Sequence, residues 1–150
     1  MHKQISLLEA GPRPIAAVRV TTILSKWPGE FMLTLDKVYA AVKAGRVHKG
    51  GHNVMVYRPR TDGQTDIECG IEVAEKFESF DEIAYSEIPG GPVAAYVHMG
   101  PYQELGAGHK AIIDWCRGNG HRLSGTCWEI YGDWDEDPAK LRTDIFHQLG

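Results

Sequence analysis

The chain repeats itself. Laid on itself at an offset of 78, Ile5, Glu9, Pro14, Ala16 and Ala17 fall on Ile83, Glu87, Pro92, Ala94 and Ala95. At an offset of 74, Met55 falls on Glu129 and Tyr57 on Tyr131. The order of expected elements repeats as well. In the first half, residues 5–10 form a short strand ended by Gly11-Pro12-Arg13-Pro14, and 15–23 form a β-branched strand. Trp27-Pro28-Gly29 then opens a helix on which Phe31, Leu35, Val38 and Val42 recur at helical spacing, with Gly45 as its stop. Strands at 54–57 and 65–74 complete the half. The second half gives strands at 83–88 and 93–99, then a helix opened by Gly100-Pro101-Tyr102 with Leu105, Gly108, Ile112 and Cys116 on one side. Gly118-Asn119-Gly120 ends that helix, and strands follow at 126–131 and 143–149. Each half has one helix and several strands, so its own helix covers only one face of each half-sheet. The other faces must be solvated or face each other, and a cleft between two related halves is a favoured ligand site.

The stretch Gly125-Thr126-Cys127-Trp128-Glu129-Ile130-Tyr131 sets the chemistry expected there. As a strand it places Cys127, Glu129 and Tyr131 on one face and Trp128 and Ile130 on the other. Trp128 and Ile130 read as the face under the helix. Glu129 is then an ordinary surface residue if its own face is solvated, or the one charged anchor of a cavity if that face is enclosed. Strand parity adds Tyr57 and Met55 from the first half and Tyr96 and His98 from the second, an aromatic box around one carboxylate. Trp115 is a core or cleft-wall residue, and Trp27 a flap at the entrance of the first helix. Ring faces attract a cation by about 0.5–2 kcal/mol each, and the carboxylate selects its sign. A catalytic alternative uses the same groups: Glu129 takes a proton from water attacking a strained carbon while Tyr131 or Tyr96 donates to the leaving group.

Other features carry less. Cys127 shares the face of Glu129, but no histidine is tied to it by spacing, so it reads as a small lining residue. His48 and His52 flank Gly50 and Gly51 and read as a solvated loop pair, leaving no metal site. Gly106 and Gly108 suit close helix–sheet packing better than a phosphate loop. The net charge of −4, without a run of Lys or Arg, argues against direct nucleic-acid binding and suits a cationic small molecule. Cys69, Cys116 and Cys127 form no Cys-x-x-Cys pair, which points to a reducing compartment. No apolar run is long enough for a secretory leader or a membrane span, so a cytoplasmic location is expected.

Four stretches in register resemble the GyrI-like family, which includes effector-binding domains of multidrug-responsive bacterial regulators. They are Asp66-Ile67-Glu68-Cys69-Gly70-Ile71-Glu72-Val73, Val97-His98-Met99-Gly100-Pro101-Tyr102-Gln103-Glu104-Leu105-Gly106, Gly125–Tyr131, and Leu141-Arg142-Thr143-Asp144-Ile145. The resemblance implies duplicated strand–helix–strand–strand halves with pseudo-two-fold symmetry and an aromatic central pocket with a glutamate at position 129. In the regulators that glutamate faces lipophilic cations. Some members resemble hydrolases of cyclopropane-bearing electrophiles, and others are linked to protection of DNA gyrase. Two departures stand out: Cys127 replaces the family's usual proline, and these residues hold no helix-turn-helix. The expectation is therefore an α+β fold with antiparallel sheets over residues 1–150, acting as a stand-alone monomer or homodimer. It would bind a lipophilic, cationic or electrophilic small molecule without a cofactor. Hydrolysis, or contact with gyrase or a regulator as protein partner, are the alternatives.

Overall fold

The computed structural model describes residues 4–26 and 31–150. The helix opening expected at Trp27-Pro28-Gly29, and with it the Trp27 flap, lies outside the described residues. The first half contains β1 (Ser6–Ala10), β2 (Arg13–Thr22), α1 (Phe31–Lys43), β3 (Lys49–Pro59) and β4 (Thr65–Val73). The second contains β5 (Ala84–Ile88), β6 (Gly91–Met99), α2 (Leu105–Gly118), β7 (Leu123–Tyr131) and β8 (Arg142–Leu149). Neither helix is long and apolar enough to cross a membrane.

The strands form one antiparallel sheet in the order β1-β6-β8-β7-β3-β4-β2-β5. The halves are thus joined edge to edge, not face to face. Read from either end, the order gives corresponding strands of the two halves. Each half also lends its first strand to the other, β1 pairing with β6 and β5 with β2. At the centre, β3 and β7 pair with Met55 opposite Glu129. These are the residues that the offset of 74 superposes, so the pseudo-two-fold axis passes between them.

Both helices lie on one face of the sheet. Leu35, Val38 and Ala41 of α1 pack on Ala16, Val18, Ile71 and Val73, while Leu105, Ile112 and Cys116 of α2 pack on Ala94 and Ile145. Gly108 lets α2 approach, since a Cβ there would meet Ile145 Cδ1 at 2.7 Å. Register puts Glu129, opposite Met55 and Ile145, on this same helix-bearing face.

That placement corrects the expected position of Trp128 and Ile130. They lie on the helix-free face, in a cluster with Ile15, Ala17, Val54, Val56, Ile88 and Val93. Trp128 is 1% exposed and stacks on Phe146 with ring centroids 5.6 Å apart. Because the cluster takes Ala10 and Ile88 from the two edge strands, the sheet curls until this face covers itself. Alternation showed which residues are buried but could not distinguish burial under a helix from burial by a coiled sheet.

Strands β2 and β4 approach closely at Gly70, where a Cβ would stand 1.8 Å from the carbonyl oxygen of Ala16. Its neighbour on the same face, Glu68, is 0% exposed. Glu68 accepts hydrogen bonds from Arg19 Nη2 at 2.7 Å, Arg58 Nε at 3.0 Å and Ser86 Oγ at 3.0 Å. Two guanidinium groups neutralise this buried carboxylate, and both reach solvent.

Candidate functional site

Between the footprints of α1 and α2, the centre of the sheet is left to Met55, Tyr57, Ile67, Cys69, Cys127, Glu129 and Tyr131. Phe31 at the start of α1 packs on Tyr131 with ring centroids 5.1 Å apart, and Tyr102 ahead of α2 approaches the same ring edge-on at 5.7 Å. Rings from both sides therefore converge on one point of the floor.

At that point sits Glu129, 4% exposed. Its Oε1 accepts from Tyr131 Oη at 2.5 Å and from Tyr57 Oη at a longer 3.4 Å. Its Oε2 lies 2.7 Å from His109 Nε2, brought down from α2. The other nitrogen of that ring, Nδ1, is 2.8 Å from Nε2 of His147 on β8. His147 in turn stands directly opposite Cys127 in the β7–β8 ladder. The result is a line of polar groups, Glu129–His109–His147, with Cys127 beside it.

Burial dominates the electrostatics. The Tyr131 and Tyr57 phenols are pushed up, first by desolvation and then by the Glu129 charge, so they stay protonated and donate. Desolvation, with Glu129 adding to it, pushes the Cys127 thiol up to about 12, so at neutral pH this sulfur is a thiol and not a reactive thiolate. His147 is lowered to about 4, mainly by burial and then by neighbouring His109, and is neutral near pH 7. Thr143, opposite Tyr131 and His98 on the same face, has a buried hydroxyl without a hydrogen-bond partner among the described residues.

Of the residues expected at the site, Glu129, Tyr131, Tyr57, Met55 and Cys127 come together. Tyr96 is half-buried and packs in the α2 cluster beside Gly108. His98 is spent locally, its Nε2 lying 3.1 Å from the Pro101 carbonyl oxygen. Trp115 stacks on His121 near the end of α2, with ring centroids 5.4 Å apart. These three are not among the groups around the carboxylate. His48 and His52 do not share the expected loop: β3 starts at Lys49, so His48 stands just ahead of the strand and His52 within it. Both are exposed and paired with acids, His48 with Glu75 and His52 with Asp133.

Sequence reasoning missed Phe31 and Tyr102 as ring walls, and missed His109 and His147 altogether. The signal was present. His109 extends the sheet-facing series Leu105, Gly108, Ile112 at helical spacing, and His147 alternates with Thr143 and Ile145 on β8. One donor atom from each of His109, Cys127 and His147 lies within 4.8 Å of the others, a grouping that no sequence spacing announced.

An open groove of about 570 Å³ lies on the other face, over β1, β6 and β8. Its charged lining, Arg142 and Asp144, is paired with itself at 2.8 Å, so it offers no buried charge to a ligand. Glu129 is buried, and it is there that a buried charge and converging rings coincide.

The fold has counterparts among solved structures. The chain aligns with the EcmrR C-terminal domain at a TM-score of 0.84 and 19% identity, covering 100% of this chain and 99% of that one. Against EcmrR in its complex with DNA the TM-score is 0.79 at 18% identity, covering 97% of this chain and 57% of that one. Against SAV2435, solved bound to tetraphenylphosphonium, it is 0.75 at 11% identity, covering 98% and 94%. At these identities the likeness is one of fold. No curated protein is significantly similar in sequence. Residues 4–149 match the family described as the GyrI-like small molecule binding domain. The chain belongs to the GyrI-like small-molecule-binding family.

Proposed function

We propose that the domain, working as one unit across its two halves, binds a lipophilic cation between α1 and α2, with Glu129 as the group that selects positive charge. One observation carries this reading: the contrast between Glu129 and the other two buried glutamates, Glu68 and Glu72, the latter paired with Arg13 at 2.8 Å. Glu68 is neutralised by two arginines. Glu129, equally buried, has only two phenols and an imidazole as its hydrogen-bond partners among the described residues. Phenols solvate a carboxylate but do not cancel its charge, and the one partner that can carry a compensating charge is the His109 imidazole. Glu129 thus lacks the permanent cations that Glu68 has, and a cation entering the ring cluster supplies them. The long Tyr57 bond is the first a ligand would replace. Tetraphenylphosphonium, the ligand in the SAV2435 structure, is a suitable probe of this chemistry.

A carboxylate about 6 Å from a cation at an effective dielectric near 20 contributes roughly 2.8 kcal/mol, or about 100-fold in affinity, before any desolvation of the ligand is subtracted. The test is calorimetric titration, in the presence of a chelator, of tetraphenylphosphonium and the neutral triphenylphosphine oxide. Glu129→Gln should weaken the cation about 10- to 100-fold and change the neutral ligand less than about threefold. Equal loss for both ligands, or none for either, would refute charge selection by Glu129.

The hydrolase reading uses the same contacts, with Glu129 as base and Tyr131, 2.5 Å away, as proton donor. The raised phenol makes Tyr131 a weak acid in that role, which supports the binding reading over turnover.

A further inference from the structure

We propose that His109, Cys127 and His147 form a binding site for a zinc-type divalent transition metal, with Glu129 holding His109 in the ligating orientation. The three side chains come from three separate elements, α2, β7 and β8, all on one face of the sheet. Cys127 and His147 are direct cross-strand partners, and donor atoms of the three residues lie within 4.8 Å of one another. A tetrahedral ion with bonds of about 2.0–2.3 Å needs donors roughly 3.3–3.8 Å apart, so side-chain adjustments of about 1 Å suffice.

The orientation of His109 is the stronger argument. Its Nε2 is held by the Glu129 carboxylate at 2.7 Å, which turns Nδ1 towards His147 Nε2 at 2.8 Å. A ligating histidine whose other ring N–H is fixed by a carboxylate is the arrangement that orients metal-bound imidazole in known sites. Thiolate with two imidazoles suits zinc-type ions over magnesium or calcium.

Binding needs no redox partner. The Cys127 S–H bond breaks, its proton passes to solvent, and the sulfur binds the metal. With His109 Nε2–H kept on Glu129, His147 gives its Nε2 proton to solvent and takes one at Nδ1, so that His109 Nδ1 and His147 Nε2 exchange their mutual hydrogen bond for lone-pair bonds to the ion. Three protein ligands leave a tetrahedral ion one position for water or a small ligand. This site shares Glu129 with the cation reading, and the two are measured separately: metal without organic ligand, organic ligand with chelator.

The test is titration of chelator-treated, reduced protein with Co(II), followed by displacement with Zn(II). The expected result is saturation at one equivalent with a thiolate-to-cobalt charge-transfer band that is absent in Cys127→Ser and retained in Cys116→Ala. His147→Asn should weaken Zn(II) at least about 10-fold, and Glu129→Gln, which keeps all three ligands, by about 10-fold. Circular dichroism of each variant separates lost ligation from lost fold, and His147→Asn serves if Cys127→Ser does not fold. Absence of the band at stoichiometric Co(II), or its persistence in Cys127→Ser, would overturn the site.

Discussion

Three glycine-to-alanine substitutions should alter stability in a graded way, with a change of sign, because the added methyl meets a different obstacle at each. At Gly70 it would stand 1.8 Å from the Ala16 carbonyl oxygen and 2.7 Å from Ala17 Cα, both backbone atoms of the paired strand β2. Ordinary carbon–oxygen contact is about 3.3 Å, so β2 and β4 must separate by more than 1 Å at this point. Overpacking costs about 1–3 kcal/mol, and an unyielding backbone obstacle puts Gly70→Ala at the upper end. At Gly108 the methyl meets Ile145 Cδ1 at 2.7 Å and the Tyr96 ring at 3.4 Å, both side-chain atoms that can shift. The cost there falls to about 1 kcal/mol after the helix-propensity gain of alanine. At Gly106, exposed on α2, nothing lies within 4 Å, so alanine should stabilise by about 0.5 kcal/mol. Urea denaturation of the three variants in parallel, at an unchanged slope, gives the order Gly106, wild type, Gly108, Gly70 from most to least stable. A Gly70→Ala variant within about 0.5 kcal/mol of wild type would refute the close-approach argument. Gly108→Ala has a second readout: the next residue is His109, so a helix lifted off β8 should also weaken ligand binding at Glu129.

Four other outcomes follow from the same geometry. Glu68→Ala removes the common acceptor of Arg19, Arg58 and Ser86 and should cost about 2–4 kcal/mol in urea denaturation, tempered because both guanidinium groups reach solvent. Tyr131→Phe removes the shortest bond to Glu129 but keeps the ring against Phe31 and Tyr102; it should cost about 1 kcal/mol of stability while preserving binding of the cation, measured by calorimetry. Buried Cys69 and Cys116, and Cys127 with its raised thiol, should resist iodoacetamide at pH 8 in the folded protein and react once urea unfolds it, as mass spectrometry would show. Trp128 faces away from Glu129, so its emission should be that of a buried indole and change little in Glu129→Gln.

The periodicity of α1 and α2 was legible because Leu35 and Val38 on α1, and Leu105, Gly108 and Ile112 on α2, recur every three or four residues on one stripe of each helix. The matched order of elements anticipated the helix–strand succession of both halves. The exchange of β1 and β5 between halves was hidden, since which edge a short strand joins depends on long-range pairing that periodicity does not encode. The same limit misplaced Trp128. Alternation fixed its parity relative to Glu129, but the assignment of faces turned on the curl of the whole sheet. Strand parity succeeded across β3 and β7, where Tyr57, Met55, Cys127 and Glu129 share a face. It was a poor guide for His98, whose ring a three-residue turn captures.

The pseudo-two-fold axis gives the site its physical origin. An axis between β3 and β7 brings the same position of both halves into contact, so one residue type at 55 and 129 would face itself. Two carboxylates there would stand opposite each other in a buried ladder, which is destabilising. Two methionines would leave a floor with no charge. The pair in this chain, Met55 against Glu129, places one charge on the axis and an adaptable thioether beside it. The asymmetry then extends outward: α2 supplies His109 to the carboxylate, while α1 supplies the ring of Phe31 to Tyr131. Met55→Glu would restore the symmetry, and thermal unfolding should show it markedly destabilised unless one of the facing carboxyls is protonated, so that acidification narrows its deficit against wild type. A Met55→Glu protein as stable as wild type at neutral pH would mean that the floor is open to water, and that Glu129 is not the enclosed charge on which the binding proposal depends.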